Sequence, residues 1–214
     1  SDVPALYYNV SWSPDGQRVV ATRGAARELR AAPDIFFGPT GGEFVWVPSA
    51  GGAVTVIAPI GSRDVLHFNV NEPDRLYAYS ASEGLVSFRW DGTDVEQHLQ
   101  VRGISPPSGV MDTPHPEEMT SLPRRVFPQM VDPYTGANAP PAAAGGGPPA
   151  GLIMISPQGG RALAQVGRDV YVVDLIRTNG AAPTVSVASL AGAPVPVRKL
   201  TEVGGEFPSW SPDG

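Results

Sequence analysis

Apolar and polar residues alternate in short runs along this chain, and most runs are closed by Gly, Pro, Asn or Asp. A period of two puts successive side chains on opposite faces of a strand. The pattern predicts strands over residues 8–12, 18–22, 43–47 and 54–57, joined by Gly-rich turns. A second group covers 66–70, 76–79, 85–90 and 95–101, with Asp91-Gly92 supplying the positive φ of a tight hairpin. A third covers 152–155, 161–166, 170–175, 184–187 and 197–200. Helical periodicity is confined to residues 25–30, one or two turns that are marginal unless packed.

The turns repeat. Ser13-Pro14-Asp15-Gly16 recurs as Ser211-Pro212-Asp213-Gly214, with Trp12 and Trp210 before them. Weaker copies stand at Pro73-Asp74 and at Ser156-Pro157-Gln158-Gly159. Ser opens such a turn by bonding the backbone, Pro sets φ, and Gly tolerates the exit geometry. Four antiparallel strands per interval make a propeller blade. The expected fold is therefore all-β: a β-propeller of four-stranded antiparallel blades, incomplete, with about three blades and the start of a fourth. The intervals are unequal and longer than the roughly 40–45 residues of a bare blade, each excess falling at an insert. The expected boundaries are blades 1 and 2 over residues 1–104, a Pro/Gly-rich and partly disordered insert over 105–150, and blade 3 with the first strand of a truncated fourth over 151–214. The rival arrangement is a β-sandwich. An isolated arc leaves sheet faces unburied, so aggregation or a molten state is expected of it.

Composition narrows the function. The formal net charge is −6, and Arg124-Arg125 is the nearest approach to a basic patch, so nucleic acid is not an expected partner. There is no cysteine, which excludes disulfides, thiolate metal sites and a Cys nucleophile. No apolar run approaches the roughly 18–20 residues of a membrane span. Of the 24 Pro, 11 fall in the 105–150 insert, which also carries the run Gly145-Gly146-Gly147, so ladder donors are lost there and chain entropy is high.

Trp12 to Gly16 followed by the strand at 18–22 resembles the repeat of TolB-like six-bladed propellers, also found in prolyl-oligopeptidase-like and tricorn-type peptidases. Longer strings resemble the amino-terminal propeller of bacterial secreted amidohydrolases: residues 21–27, 44–52, 84–94 and 198–208. That resemblance implies a periplasmic or secreted parent enzyme that hydrolyses a C–N bond. Its divalent metal would sit in a missing carboxy-terminal catalytic domain of the same chain, to which the propeller docks or controls access. No cofactor is expected in this portion. Two alternatives stay open: a TolB-type propeller binding a periplasmic protein, and the gating propeller of a serine peptidase.

Candidate chemistry within the chain is sparse. His67, His98 and His115 are far apart in sequence, whereas a binuclear site needs convergent imidazoles and carboxylates. His67 reads as packed, His98 as a blade-edge residue and His115 as a loop residue. Gly-x-Ser-x-Gly and a phosphate-cradling Gly-rich loop are absent. No catalytic, cofactor or metal residue is therefore assigned. Asp15 and Asp213 read as backbone caps, and Trp12 and Trp210 as inter-blade core. Trp46, Trp90, Tyr77 and Tyr79 read as core or rim. The candidate functional surface is the insert between residues 24 and 42, with Arg27, Glu28 and Arg30.

Overall fold

The computed structural model describes residues 5–25, 42–103, 147–176, 181–205 and 208–214. Among these, twelve strands form three four-stranded sheets. The first sheet holds β1 (Ala5–Trp12), β2 (Arg18–Ala25), β3 (Glu43–Pro48) and β4 (Thr55–Pro59) in chain order, all antiparallel. The second is built on β5 (Arg75–Ser80), β6 (Gly84–Arg89) and β7 (Glu96–Arg102). The third holds β8 (Leu152–Ile155), β9 (Arg161–Val166), β10 (Asp169–Asp174) and β12 (Val197–Lys199).

Two features depart from the strand reading of the sequence. Residues 66–70 form no strand; the segment pairs with β5 through a single bridge, His67 to Tyr77. The strand expected near residues 184–187 leaves blade 3. As β11 (Thr184–Ser186) it joins blade 2 and runs parallel to β7, Val185 facing Val101. Both have the same cause. β-propensity marks a segment as extended, but the partner edge is chosen by which ladder lies within reach.

The sheets stack face to face, and blade 2 lies between the other two. All six residues of β5 are buried, as are five of the six in β6. Pleating divides them: Leu76, Ala78, Val86 and Phe88 join Val20, Phe44 and Ile57 of blade 1. Tyr77, Tyr79 and Leu85 join Ile153, Ile155, Ala162, Ala164, Tyr171 and Val173 of blade 3. Phe44 and Phe88 stack across the first interface with centroids 6.2 Å apart. The chain is an arc of propeller-type blades.

The strap between β10 and β12 ties this stack together. It puts Val185, Val187 and Val195 into the core between blades 2 and 3, makes one 3-10 turn at Leu190–Gly192, and returns to pair β12 with β10. The end of the Pro/Gly-rich insert is also held: Gly103 N–H donates to Pro148 O at 2.7 Å, Ala150 N–H donates to Val101 O at 2.9 Å, and Ala150 is buried. The rest of that insert lies outside the described residues. Residues 208–214 contribute a turn and no strand.

Because Phe88 is fully buried between two sheets, Phe88→Ala is expected to cost about 3–5 kcal/mol. Val10, exposed on β1, should tolerate Ser within about 0.5 kcal/mol. Urea unfolding of both variants measures the difference.

Candidate functional site

The repeated turns build one rim of the arc. Ser13 is buried, and its Oγ accepts the Arg18 N–H at 2.9 Å and donates to Asp15 Oδ1 at 2.5 Å. Asp15 Oδ1 also accepts the Gln17 N–H at 2.9 Å, and these bonds lower its pKa. Ser156 repeats the pattern, its Oγ accepting the Arg161 N–H at 3.2 Å. Gly16, Gly159 and Gly214 close the three Ser-opened turns at φ 67°, 80° and 89°, where a side chain would be strained. Asp213 is held below its ordinary pKa by the Ser211 hydroxyl.

In blade 2 the buried polar residue that opens the rim is Asn69. Its Oδ1 accepts the Asn71 N–H at 2.9 Å, and its carbonyl accepts the Glu72 N–H at 3.1 Å. Pro73 and Asp74 form a second turn just after it, closed by Arg75 N–H to Glu72 O at 3.0 Å.

The turns also bond one another. Val70 N–H donates to Pro157 O at 2.8 Å, and Asn71 Nδ2 to Gln158 O at 2.9 Å. Gln158 Nε2 in turn donates to Asp213 O at 2.8 Å.

One strand of each blade opens with an arginine: Arg18 on β2, Arg75 on β5 and Arg161 on β9. Arg18 reaches across to blade 2, its guanidinium 4.4 Å from the Trp90 ring centroid and 5.0 Å from that of Trp46. Trp46 and Trp90 meet edge to face at 6.3 Å, and Phe68 stacks on Trp90 at 6.2 Å. Trp90 Nε1–H donates to Pro73 O at 2.8 Å. Around this ladder opens a cleft of about 460 Å³, lined by Arg18, Trp46, Thr55, Val56, Asp74, Arg89, Trp90 and Asp91. Arg89 is paired with Asp74 at 2.8 Å and with Asp94 at 3.1 Å. The cleft thus offers half-buried indoles beside charges of both signs, which suits a polypeptide better than a polyanion.

A second polar group lies within blade 2. The buried Arg75 donates from Nε to Ser87 Oγ at 2.8 Å and from NH1 to Asp94 Oδ2 at 2.8 Å, with Glu96 3.3 Å away. Ser87 Oγ lies 2.7 Å from His98 Nε2. Arg75 donates to Ser87 Oγ, which leaves the Ser87 hydroxyl proton available to a neutral His98 Nε2. The pairing resembles a nucleophile and its base. However, Ser87 is fully buried, with no room for an acyl group. Its role is to satisfy the guanidinium beneath the sheet. Burial lowers the pKa of His98, whose ring packs 5.3 Å from that of Tyr77. Tyr77 OH donates to Glu72, and burial raises the tyrosine's pKa.

The positions named from sequence separate clearly. Arg27, Glu28, Arg30 and His115 lie outside the described residues. His67 Nε2 is buried without a partner, and desolvation lowers the imidazole pKa to about 4. Tyr77 and Tyr79 are core, whereas Trp46 and Trp90 sit on the rim. Trp210 is half-buried against blade 3, but Trp12 is 60% exposed. Sequence reasoning missed the recurrent arginine, although Gln17-Arg18-Val19, Asp74-Arg75-Leu76 and Gly160-Arg161-Ala162 carry it. Among the described residues no three His, Asp or Glu converge as metal ligands.

The chain matches no family model and no curated protein. Among solved structures it is similar to one described as putative TolB from Agrobacterium tumefaciens, with 17% identity and a TM-score of 0.44. The match covers 100% of this chain and 57% of that one. The chain therefore spans little more than half of that protein's length, and its fold class rests on its own three sheets.

Two predictions follow from the buried polar groups. The unfolded chain protonates His67 near the ordinary value of 6.5, and the folded chain only near 4. The imidazole's contribution to stability is therefore complete above pH 6.5 and is lost as the pH falls toward about 4. The wild type should lose stability relative to His67→Gln across that window, and the His67 ring signals should stay neutral by NMR until its lower end. Arg75→Met takes the Nε–H donor from the buried Ser87 hydroxyl, while the exposed Asp94 keeps Arg89, and should cost about 1–3 kcal/mol, read by chemical denaturation.

Proposed function

We propose that this chain is a non-catalytic recognition propeller that holds an extended segment of a partner protein in the cleft between blades 1 and 2. The cleft itself is the supporting observation. Two indoles and four charged side chains surround open volume at a rim whose backbone is already fixed by the turns. Aromatic residues and Arg are the side chains that dominate protein recognition. Partner binding in the periplasm is the setting that the TolB-like repeat suggests.

A second reading keeps the same propeller and joins it to a metal-dependent amidohydrolase barrel. The strings that resemble such enzymes, residues 44–52 and 84–94, contain Trp46 and Trp90 and so border the same cleft. In that case the occupant is a segment of the catalytic domain, and the propeller positions that domain or screens its substrates. A His-x-His-bearing barrel encoded in the same reading frame selects this reading; a frame without one removes it.

Peptides selected on the immobilised protein from a random library test the first reading. Selected sequences should bind Trp46→Ala about tenfold more weakly or worse, while the circular dichroism of the variant is unchanged. Peptides that bind wild type and Trp46→Ala equally would sink it.

A further inference from the structure

The four charged side chains that line the cleft between blades 1 and 2 are not equivalent. Arg89 pairs with Asp74 at 2.8 Å and with Asp94 at 3.1 Å, so these charges are matched inside the protein. Arg18 and Asp91 are not. Among the described residues the Arg18 guanidinium makes no ion pair and no side-chain hydrogen bond. Its neighbours are the rings of Trp90 and Trp46, at 4.4 and 5.0 Å. Asp15, on the adjoining turn, senses the Arg18 charge, but its Oδ1 is taken by Ser13 and Gln17. Asp91 is exposed and accepts from Thr93 of its own turn, from the backbone N–H at 3.0 Å and from Oγ1 at 2.6 Å, both at Oδ1. Arg89 acts on Asp91 from longer range, and among the described residues no cation pairs with it.

The ring contacts hold the guanidinium in place and leave its N–H donors without acceptors. A planar fork fixed over aromatic rings suits a carboxylate, which can take two parallel N–H···O bonds. Trp90 already has Arg18 over its ring and Phe68 stacked on it at 6.2 Å, so it is no open platform for a sugar. A polyanion would meet Asp74 and Asp91 together with Arg18. A chain-terminal carboxylate is captured by clustered backbone N–H groups. The turn at the cleft has committed its own: Gly92 N–H donates to Arg89 O at 2.8 Å and Thr93 N–H to Asp91. An acidic side chain within a polypeptide is what the charges fit.

We propose that the segment held in the cleft carries charges of both signs: an internal Asp or Glu side chain bonds the Arg18 guanidinium, and a Lys or Arg of the same segment meets Asp91. Arg18 and Asp91 then determine which sequences are accepted, while Trp46 and Trp90 hold Arg18 in position. The inference rests on the cleft being a polypeptide site. Charge matching of this kind acts on selectivity and association rate more than on total affinity.

Peptides selected on the immobilised chain from a random library with amidated C-termini should share one acidic and one basic position. For such a peptide, Arg18→Gln should weaken binding about tenfold, as should changing the peptide's acid to its amide. The two changes together should cost little more than either alone, because they remove the same contact. Asp91→Asn keeps an oxygen for Thr93 and should couple in the same way to the basic position. Added salt should weaken binding to the wild type more than to Arg18→Gln. The peptide substitutions need no altered protein, so they decide the matter even where a variant fails to fold. Peptides that depend on Trp46 but carry no acidic position, or lose nothing with Arg18→Gln, would overturn this inference and leave the cleft reading standing. Binding that requires a free C-terminal carboxylate would overturn the internal side chain. Peptides indifferent to Trp46 would remove both readings.

Discussion

A sheet buried on both faces makes an unsatisfied polar group costly, and blade 2 is built under that constraint, with His67 Nε2 as the exception among the described residues. Its strands cannot follow the half-buried alternation of an ordinary antiparallel sheet. Instead, one parity of residues fills the core toward blade 1 and the other fills the core toward blade 3. Removing either neighbour would expose a complete apolar face. The polar residues on blade 2 consequently come with partners: Arg75 with Ser87 and Asp94, Ser87 with His98, Tyr77 with Glu72, and Tyr79 OH with the Ala150 carbonyl. A buried guanidinium is tolerable only because three acceptors surround it.

The same constraint accounts for the strap. A blade edge carries unpaired N–H and C=O groups, and edges of that kind invite foreign strands. β11 covers the β7 edge from the neighbouring repeat, so blades 2 and 3 are joined by backbone as well as by packing. The rim adds a second set of links: the blade 2 turn donates to the Ser156 turn, and Gln158 of that turn donates to Asp213. Packing, strap and rim all act between blades 2 and 3. Together they oppose the sliding of one sheet over another that packing alone would permit.

Polar chemistry in the arc therefore divides by depth. Ser87 and His98 have the composition of a catalytic pair, but Ser87 is fully buried and serves a guanidinium. The groups left facing open volume are indoles, guanidinia and carboxylates at the rim, where they can meet another polypeptide. Arginine shows how position decides role. At the head of its strand it lies over a tryptophan ring in blades 1 and 3, while in blade 2 it is drawn inside and paired with carboxylates.

The all-β class, the blade count and the rim turns were legible in the sequence, because period-two alternation and Ser-Pro-Asp-Gly are local codes enforced by backbone sterics. The arginine that heads β2, β5 and β9 was also present there as a repeat. The edge that β11 joins was not, since an extended segment is equally extended beside either blade. Nor was the difference between Trp12 and Trp210, which occupy identical pentapeptides: one lies against a blade and the other against solvent. Local sequence sets which residues are extended and where the chain turns. Which sheet lies across from a given face is a property of the whole stack, and that alone seats one tryptophan against a blade and leaves its twin exposed.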